Sequence, residues 1–109
     1  MDKPPISSTT QRRYEEIAAG LAGAGVKASS MFGMPTLKRN GKAIGGLWGD
    51  AMTFKLAPDA VAEALRIEGT NHFDPSGRGR PMKAWVVVPV EQSGEWERLA
   101  QLALAASDS

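Results

Sequence analysis

Three cations lie close together in a glycine- and proline-rich stretch of the sequence, residues 74–83. They are Arg78, Arg80 and Lys83, and a second group of cations, Lys38, Arg39 and Lys42, flanks Asn40-Gly41. Because an arginine guanidinium can make two parallel hydrogen bonds to a phosphate, these residues are the candidate contacts for an anion or a nucleic acid. The formal net charge is only +1, and no aromatic residue interleaves with the three cations along the sequence. We therefore favour solvated loop charge, with phosphate binding as the alternative.

Catalytic and metal-binding patterns are hard to find in this sequence. His72 is the only histidine, and there is no cysteine. A single histidine without a second His or Cys is a poor transition-metal site. Asp50, Asp59 and Glu63 show no pairing suited to acid–base work, and no serine stands in a nucleophile-elbow pattern. We predict no catalytic residue, no metal site and no cofactor, with His72 at a sheet edge.

The central part of the chain, residues 30–56, has the two-residue rhythm of β-strands. The dipeptide Asn40-Gly41 favours a tight hairpin turn, since both residues accept positive φ. Gly49-Asp50 favours the next turn, and Gly45-Gly46 indicates a bulge or a backbone that approaches the sheet closely. These signals predict three sequential antiparallel strands, and their spacing does not match a phosphate-binding loop.

Helices and further strands are predicted around this meander. Apolar residues at helical spacing favour helices over residues 10–24, 58–67 and about 93–106. A short apolar piece at His72-Phe73 and a run of strand formers over residues 84–88 add strands, the second in the sheet interior. We expect an α+β domain with an antiparallel sheet of about four to five strands and flanking helices, in the order α-β-β-β-α-β-β-α.

The ends and the tryptophans complete these expectations. Residues 1–9 include two prolines and a Ser/Thr cluster, so we expect a flexible arm followed by a single domain over residues 10–106. We expect Trp48, Trp85 and Trp96 to pack in the core, with the lining of a ligand pocket as the alternative.

Composition excludes several classes of protein. Apolar residues make up 42% of the 109 residues and charged residues 23%, as in globular proteins. No apolar run approaches the roughly 20 residues that span a bilayer, and the first ten residues lack the apolar segment of a secretory signal. Because a chain without cysteine is compatible with a reducing compartment, we expect a cytoplasmic protein with no membrane partner. The sequence indicates no oligomeric state.

Seven short segments follow one another along the chain in a characteristic order. They are Met31-Phe32-Gly33-Met34, Gly41-Lys42, Phe54-Lys55-Leu56, Phe73-Asp74-Pro75, Gly79-Arg80-Pro81-Met82-Lys83, Trp85-Val86-Val87-Val88-Pro89, and Trp96 with Leu99-Ala100. Through this set, residues 14–106 resemble the N-terminal domain of the TfoX/Sxy family, and they are also similar to MmcQ/YjbR-like proteins.

The resemblance implies a bacterial domain with an antiparallel sheet and flanking helices, and it supplies no catalytic residue. It implies a non-enzymatic interaction or regulatory module, like the N-terminal domain of a competence regulator. Such a module would bind a protein partner or, as a second choice, nucleic acid. The alternative is a small-molecule-binding domain or weak enzyme, with a pocket between sheet and helices near His72 and residues 78–83.

Overall fold

A six-stranded antiparallel sheet with three helices on one face forms the fold of this chain. The computed structural model describes residues 5–31, 33–74, 79 and 82–108. The elements follow in the order α1 (Ser8–Leu21), β1 (Val26–Met31), β2 (Met34–Arg39), β3 (Lys42–Leu47), β4 (Ala51–Lys55), α2 (Pro58–Ala64), β5 (Asn71–Phe73), β6 (Met82–Pro89) and α3 (Trp96–Ser107). Across the sheet the strands lie in the order β1-β2-β3-β4-β6-β5.

The predicted α+β class and antiparallel sheet are confirmed, but the strand number and order need correction. The sheet has six strands rather than four to five, because β1 precedes the predicted meander. This strand lies at the edge of the sheet, and its residues 27–30 are exposed. An edge strand needs few apolar residues, so its sequence lacks the alternation by which strands are recognised.

The predicted turns and the close backbone approach are confirmed. Asn40 and Gly41 have φ values of 53° and 78° and join β2 to β3. Gly49, with φ of 60°, lies between β3 and β4. A Cβ on Gly46 would lie 2.5 Å from the carbonyl oxygen of Pro35, so only glycine lets β3 approach β2 this closely.

The helices differ from their predicted bounds at the ends. α1 begins at Ser8, two residues before the predicted start, and ends in a 3-10 turn followed by Gly25 with φ of 85°. α2 ends at Ala64, three residues early. A 3-10 segment occupies residues 90–95, so α3 begins at Trp96 instead of residue 93 or 94.

The main hydrophobic core lies between the helices and one face of the sheet. Trp96 is fully buried there at 0% exposure, and its indole nitrogen donates a 3.2 Å hydrogen bond to the carbonyl oxygen of Val88. Trp48 and Trp85 were also predicted in the core, but both are only half-buried. In β6 the helix-facing positions belong to Val86 and Val88, and alternation places Trp85 on the opposite face.

The start of α1 is tied to the turn between β3 and β4 through Asp50. The Asp50 Oδ1 atom accepts hydrogen bonds from the backbone N–H of Ser7 at 2.7 Å and from the Thr10 hydroxyl at 2.9 Å. The bond from the Ser7 backbone, followed by that from Thr10, lowers the pKa of Asp50. The Ser7 side chain also accepts from the Thr10 N–H and caps the helix.

We expect Asp50→Ala to lower the melting temperature at neutral pH. Because the folded state lowers the pKa of Asp50, the stabilisation is present above the unfolded value of about 3.9 and is lost as the pH falls through the lower folded value. Thermal melts of parent and variant should therefore converge in acid. The control is Glu68→Ala, at an exposed carboxylate. An Asp50→Ala deficit that stays constant down to about pH 2 would contradict this account.

Candidate functional site: an aromatic groove on the open face of the sheet

The sheet has a second face that none of the described helices covers, here called the open face. Pairing between β4 and β6 assigns side chains to the two faces, because cross-strand partners lie on the same side. Phe54 and its partner Val86 belong to the core beneath the helices. Thr53 and its partner Val87, the adjacent pair, therefore lie on the open face.

Three aromatic rings meet on the open face. The rings of Trp48 and Phe73 are 5.4 Å apart between centroids and lie edge to face at 68°. The rings of Phe73 and Trp85 are 6.5 Å apart and tilted by 52°. Phe73 is therefore the central ring, and the three side chains come from three different parts of the chain. Both separations lie in the range in which aromatic pairs attract.

These rings border a groove, here called the aromatic groove, with a floor of small residues. Gly46, Thr36 and Thr53 form the floor, and the two threonines are only 7% and 5% exposed. The Thr36 hydroxyl donates a 3.1 Å hydrogen bond to the Met34 carbonyl oxygen, so this polar group is satisfied within β2. Met82, at 43% exposure, stands at the side. The groove has a volume of about 180 Å³.

The size and lining of the aromatic groove limit what it can do. Pockets that enclose a drug-sized ligand measure about 300–1,000 Å³, so this groove holds a smaller group, such as one flat ring. None of its lining side chains is an acid, a base or a histidine. The arrangement is thus suited to apolar and stacking contact with a flat ring.

Two lysines lie opposite each other beside the groove. Lys38 follows Thr36 by two residues in β2 and is therefore on the open face. It pairs with Lys27 of β1 on one side and with Ala43, which lines the groove, on the other. Like charges at directly opposed positions destabilise a sheet. Neither lysine has a carboxylate partner within the described part of the chain.

Two further lysines lie near the groove. Lys55 pairs directly with Trp85, so its exposed side chain begins next to an aromatic ring. Opposed residues have Cβ atoms about 4.5–5.5 Å apart. Lys83 is exposed in β6 between Met82 and Trp85, both of which line the groove.

Of the three cations predicted to contact anions, the structure places one. Lys83 lies beside the aromatic groove, whereas Arg78 and Arg80 fall outside the described residues. Met82, the residue before Lys83, pairs with Phe73 across the strands, and both of these side chains line the groove. Strand pairing brings together residues that are far apart in the sequence.

His72 is not part of the aromatic groove. It pairs with Val86, whose side chain faces the helices, and its Nδ1 atom is buried without a hydrogen-bond partner. The described residues do contain cavities on the helix side, but away from His72. One of about 380 Å³ lies between the β2–β3 hairpin and α3, and one of about 340 Å³ lies between α1 and α3. Arg39, beside the first, is already paired with Asp108.

The sequence prediction missed three residues of the open face, Lys27, Lys55 and Phe73. Lys38 was among the candidate phosphate contacts, and Trp48 was placed in a ligand pocket only as the alternative. The signal available was composition by element: the segments that form the six strands contain no aspartate or glutamate. That signal becomes visible only when the strand bounds are known, because net charge over the whole chain conceals it.

Several other kinds of site are not found in the described residues. No helix there is both long and apolar enough to cross a membrane, and no three His, Asp or Glu side chains are grouped as metal ligands would be. No family model, curated protein or solved structure matches the chain. The aromatic groove, with its flanking lysines, is therefore the candidate site.

Proposed function

We propose that this chain is a non-enzymatic interaction module of the TfoX N-terminal type, and that its partner inserts a flat ring into the aromatic groove. The observation behind the proposal is the meeting of Trp48, Phe73 and Trp85 on the open face. Half-buried aromatic rings around a floor of small residues form a concave apolar surface, which is the usual form of a recognition site.

The lining of the groove supports binding rather than catalysis. Proton transfer needs a titratable side chain within hydrogen-bond reach of the reacting group. The groove offers only apolar side chains and the hydroxyls of Thr36 and Thr53, and the Thr36 hydroxyl already donates to the backbone. A ring seated there meets surfaces that hold it, without a group that would change it.

Several segments behind the TfoX/Sxy resemblance also border the groove. Met34, Phe73, Met82 and Trp85 belong to four of those segments, and all four line it. If the resemblance reflects kinship, these residues are the ones that a shared binding role would require. This coincidence supports an interaction module over the alternative, a small-molecule-binding domain or weak enzyme with a pocket between sheet and helices.

We expect small planar compounds, such as indole and uncharged nucleosides, to bind weakly in the groove. Their binding should shift the indole N–H signals of Trp48 and Trp85 in a ¹⁵N-correlated NMR titration, because rings that enter the groove lie against both. The N–H signal of Trp96 should stay in place, since that indole is buried and bonded to Val88. Single Trp→Phe variants assign the three signals.

The Trp96 signal is the internal control for this titration. Aliphatic alcohols of similar size serve as matched probes without a flat ring, and we expect smaller shifts from them. If no planar compound moves the Trp48 and Trp85 signals, or if all three indoles move together, the groove is not a selective ring site and the proposed function is wrong.

A further inference from the structure

We infer that the partner of the aromatic groove is a single-stranded nucleic acid, with a base in the groove and the phosphates on the surrounding lysines. The inference rests on the proposed function, because it names the polymer to which the inserted ring belongs. The proposed binding surface consists of the three rings of the groove and the exposed or half-exposed side chains of Lys27, Lys38, Lys55 and Lys83.

Charge is separated between the two layers of the fold. The six strands contain six cations and no carboxylate; the cations are Lys27, Lys38, Arg39, Lys42, Lys55 and Lys83. The helices and 3-10 segments contain seven carboxylates and three arginines. Although Arg39 is paired with Asp108, the strands therefore carry an excess of positive charge in a nearly neutral chain. Such a local surface attracts a polyanion even when the net charge is close to zero.

The lysine pair on the edge of the sheet favours an anionic partner. Lys27 and Lys38 are directly opposed on β1 and β2, and no described carboxylate pairs with either of them. Their mutual repulsion is a cost that the free protein bears. A phosphate between the two ammonium groups would relieve that repulsion and release its own counterions, and both effects favour binding.

Lysines and an aromatic ring lie along one cross-strand row of the open face. Lys55 lies directly opposite Trp85, and Lys38 lies directly opposite the groove residue Ala43. A base that stacks in the groove would therefore have a row of lysines beside it, along which the phosphates of its strand can lie. Stacking platforms combined with a positive surface are the general means by which proteins hold single strands.

Other occupants fit the open face less well. In a duplex the bases are paired and stacked inside, so none is free to enter the groove unless it is flipped out. A second copy that docked through the same face would bring lysines against lysines, because two-fold pairing opposes the same patch to itself. An acidic peptide matches the charge but supplies no series of flat rings. The test therefore also measures binding of a duplex, of an acidic peptide and of a second copy of the chain.

The test measures binding of a short oligothymidine and a short oligouridine by fluorescence anisotropy at several salt concentrations. Either strand should bind at low salt, with affinity that falls by a slope of about −0.7 per phosphate neutralised. From that slope, Lys38→Gln and Lys55→Gln should each weaken binding about fivefold at about 0.1 M salt, and the double variant about 25-fold. Arg12→Gln on exposed α1 is the matched control and should leave affinity unchanged.

Each outcome of this test has a defined meaning. Absence of strand binding at low salt, salt-independent binding, or equal loss in Arg12→Gln would overturn the nucleic-acid inference. So would tighter binding of a matched duplex, of a poly-glutamate peptide, or of a second copy seen by light scattering. The proposed function is tested separately by the NMR titration, and it fails if planar compounds do not shift the Trp48 and Trp85 signals. If planar compounds bind but the oligonucleotides do not, the proposed interaction module stands and the nucleic-acid inference is wrong.

Discussion

Trp96→Ala is expected to destabilise this protein by about 3–5 kcal/mol, the usual cost of removing a large buried aromatic side chain. Trp96 is the largest of the fully buried side chains and packs where α3 meets the sheet. Its removal leaves a cavity and takes away the donor to the Val88 carbonyl oxygen. A domain of this size has a total stability of about 5–15 kcal/mol, so much of it would be lost.

Urea denaturation of parent and variant, followed by circular dichroism, measures this loss. Trp96→Phe removes less, because phenylalanine keeps one aromatic ring in the core and loses the N–H and the second ring. We expect Trp96→Phe to cost less than Trp96→Ala, with about 1–3 kcal/mol assigned to the unpaired carbonyl and the smaller ring. A Trp96→Ala variant that unfolds at the parent's urea concentration would show that the core does not depend on this residue.

Residues whose effect is local made the fold largely predictable from the sequence. Asn40-Gly41 needs no tertiary contact to favour a hairpin turn, since the preference for positive φ is intrinsic to the two residues. Pro58 likewise marks the first turn of α2 wherever that helix packs. Where a local signal was absent, as in β1 with its serines, the strand was missed, because only pairing with β2 makes it a strand.

The candidate site was less predictable because it depends on alternation within strands whose ends were not yet known. The run over residues 84–88 predicted a strand in the sheet interior, and the tendency of aromatic residues to fill small cores placed Trp85 in the core. The structure buries Val86 and Val88 completely and leaves Trp85 half-buried on the other face. Phe73 meets Trp48 only through strand pairing, which no spacing along the chain reveals.

The same dependence explains why the charge of the open face was overlooked. Lys27, Lys38 and Lys55 are separated by up to 28 residues in the sequence, whereas most of the carboxylates belong to other segments of the chain. Folding leaves those carboxylates in helices and turns and gathers the lysines on one surface. The near-zero net charge, which in the sequence alone argues against phosphate binding, sums positively charged strands with negatively charged helices and with the charges of the remaining residues.

Trp85→Ala is expected to weaken binding at the groove strongly while it changes stability little. Loss of one stacking ring usually costs about 1–3 kcal/mol per base, which is roughly a 5- to 150-fold loss of affinity. Trp85 packs against Phe73 but lies outside the core beneath the helices, so its removal should cost much less stability than that of Trp96. Anisotropy with the oligothymidine measures the affinity, and urea denaturation measures the stability.

Val87→Ala is the matched control because it changes the same strand and the same face at a residue that does not line the groove. Val87 is two residues beyond Trp85 in β6, is also half-buried, and pairs with Thr53. It should lose some stability through reduced apolar burial and should bind the oligothymidine like the parent. If both variants lose affinity equally, the loss follows from general loosening of the sheet. If Trp85→Ala binds like the parent, the ring is not a stacking surface, and the partner contacts the open face through its lysines alone.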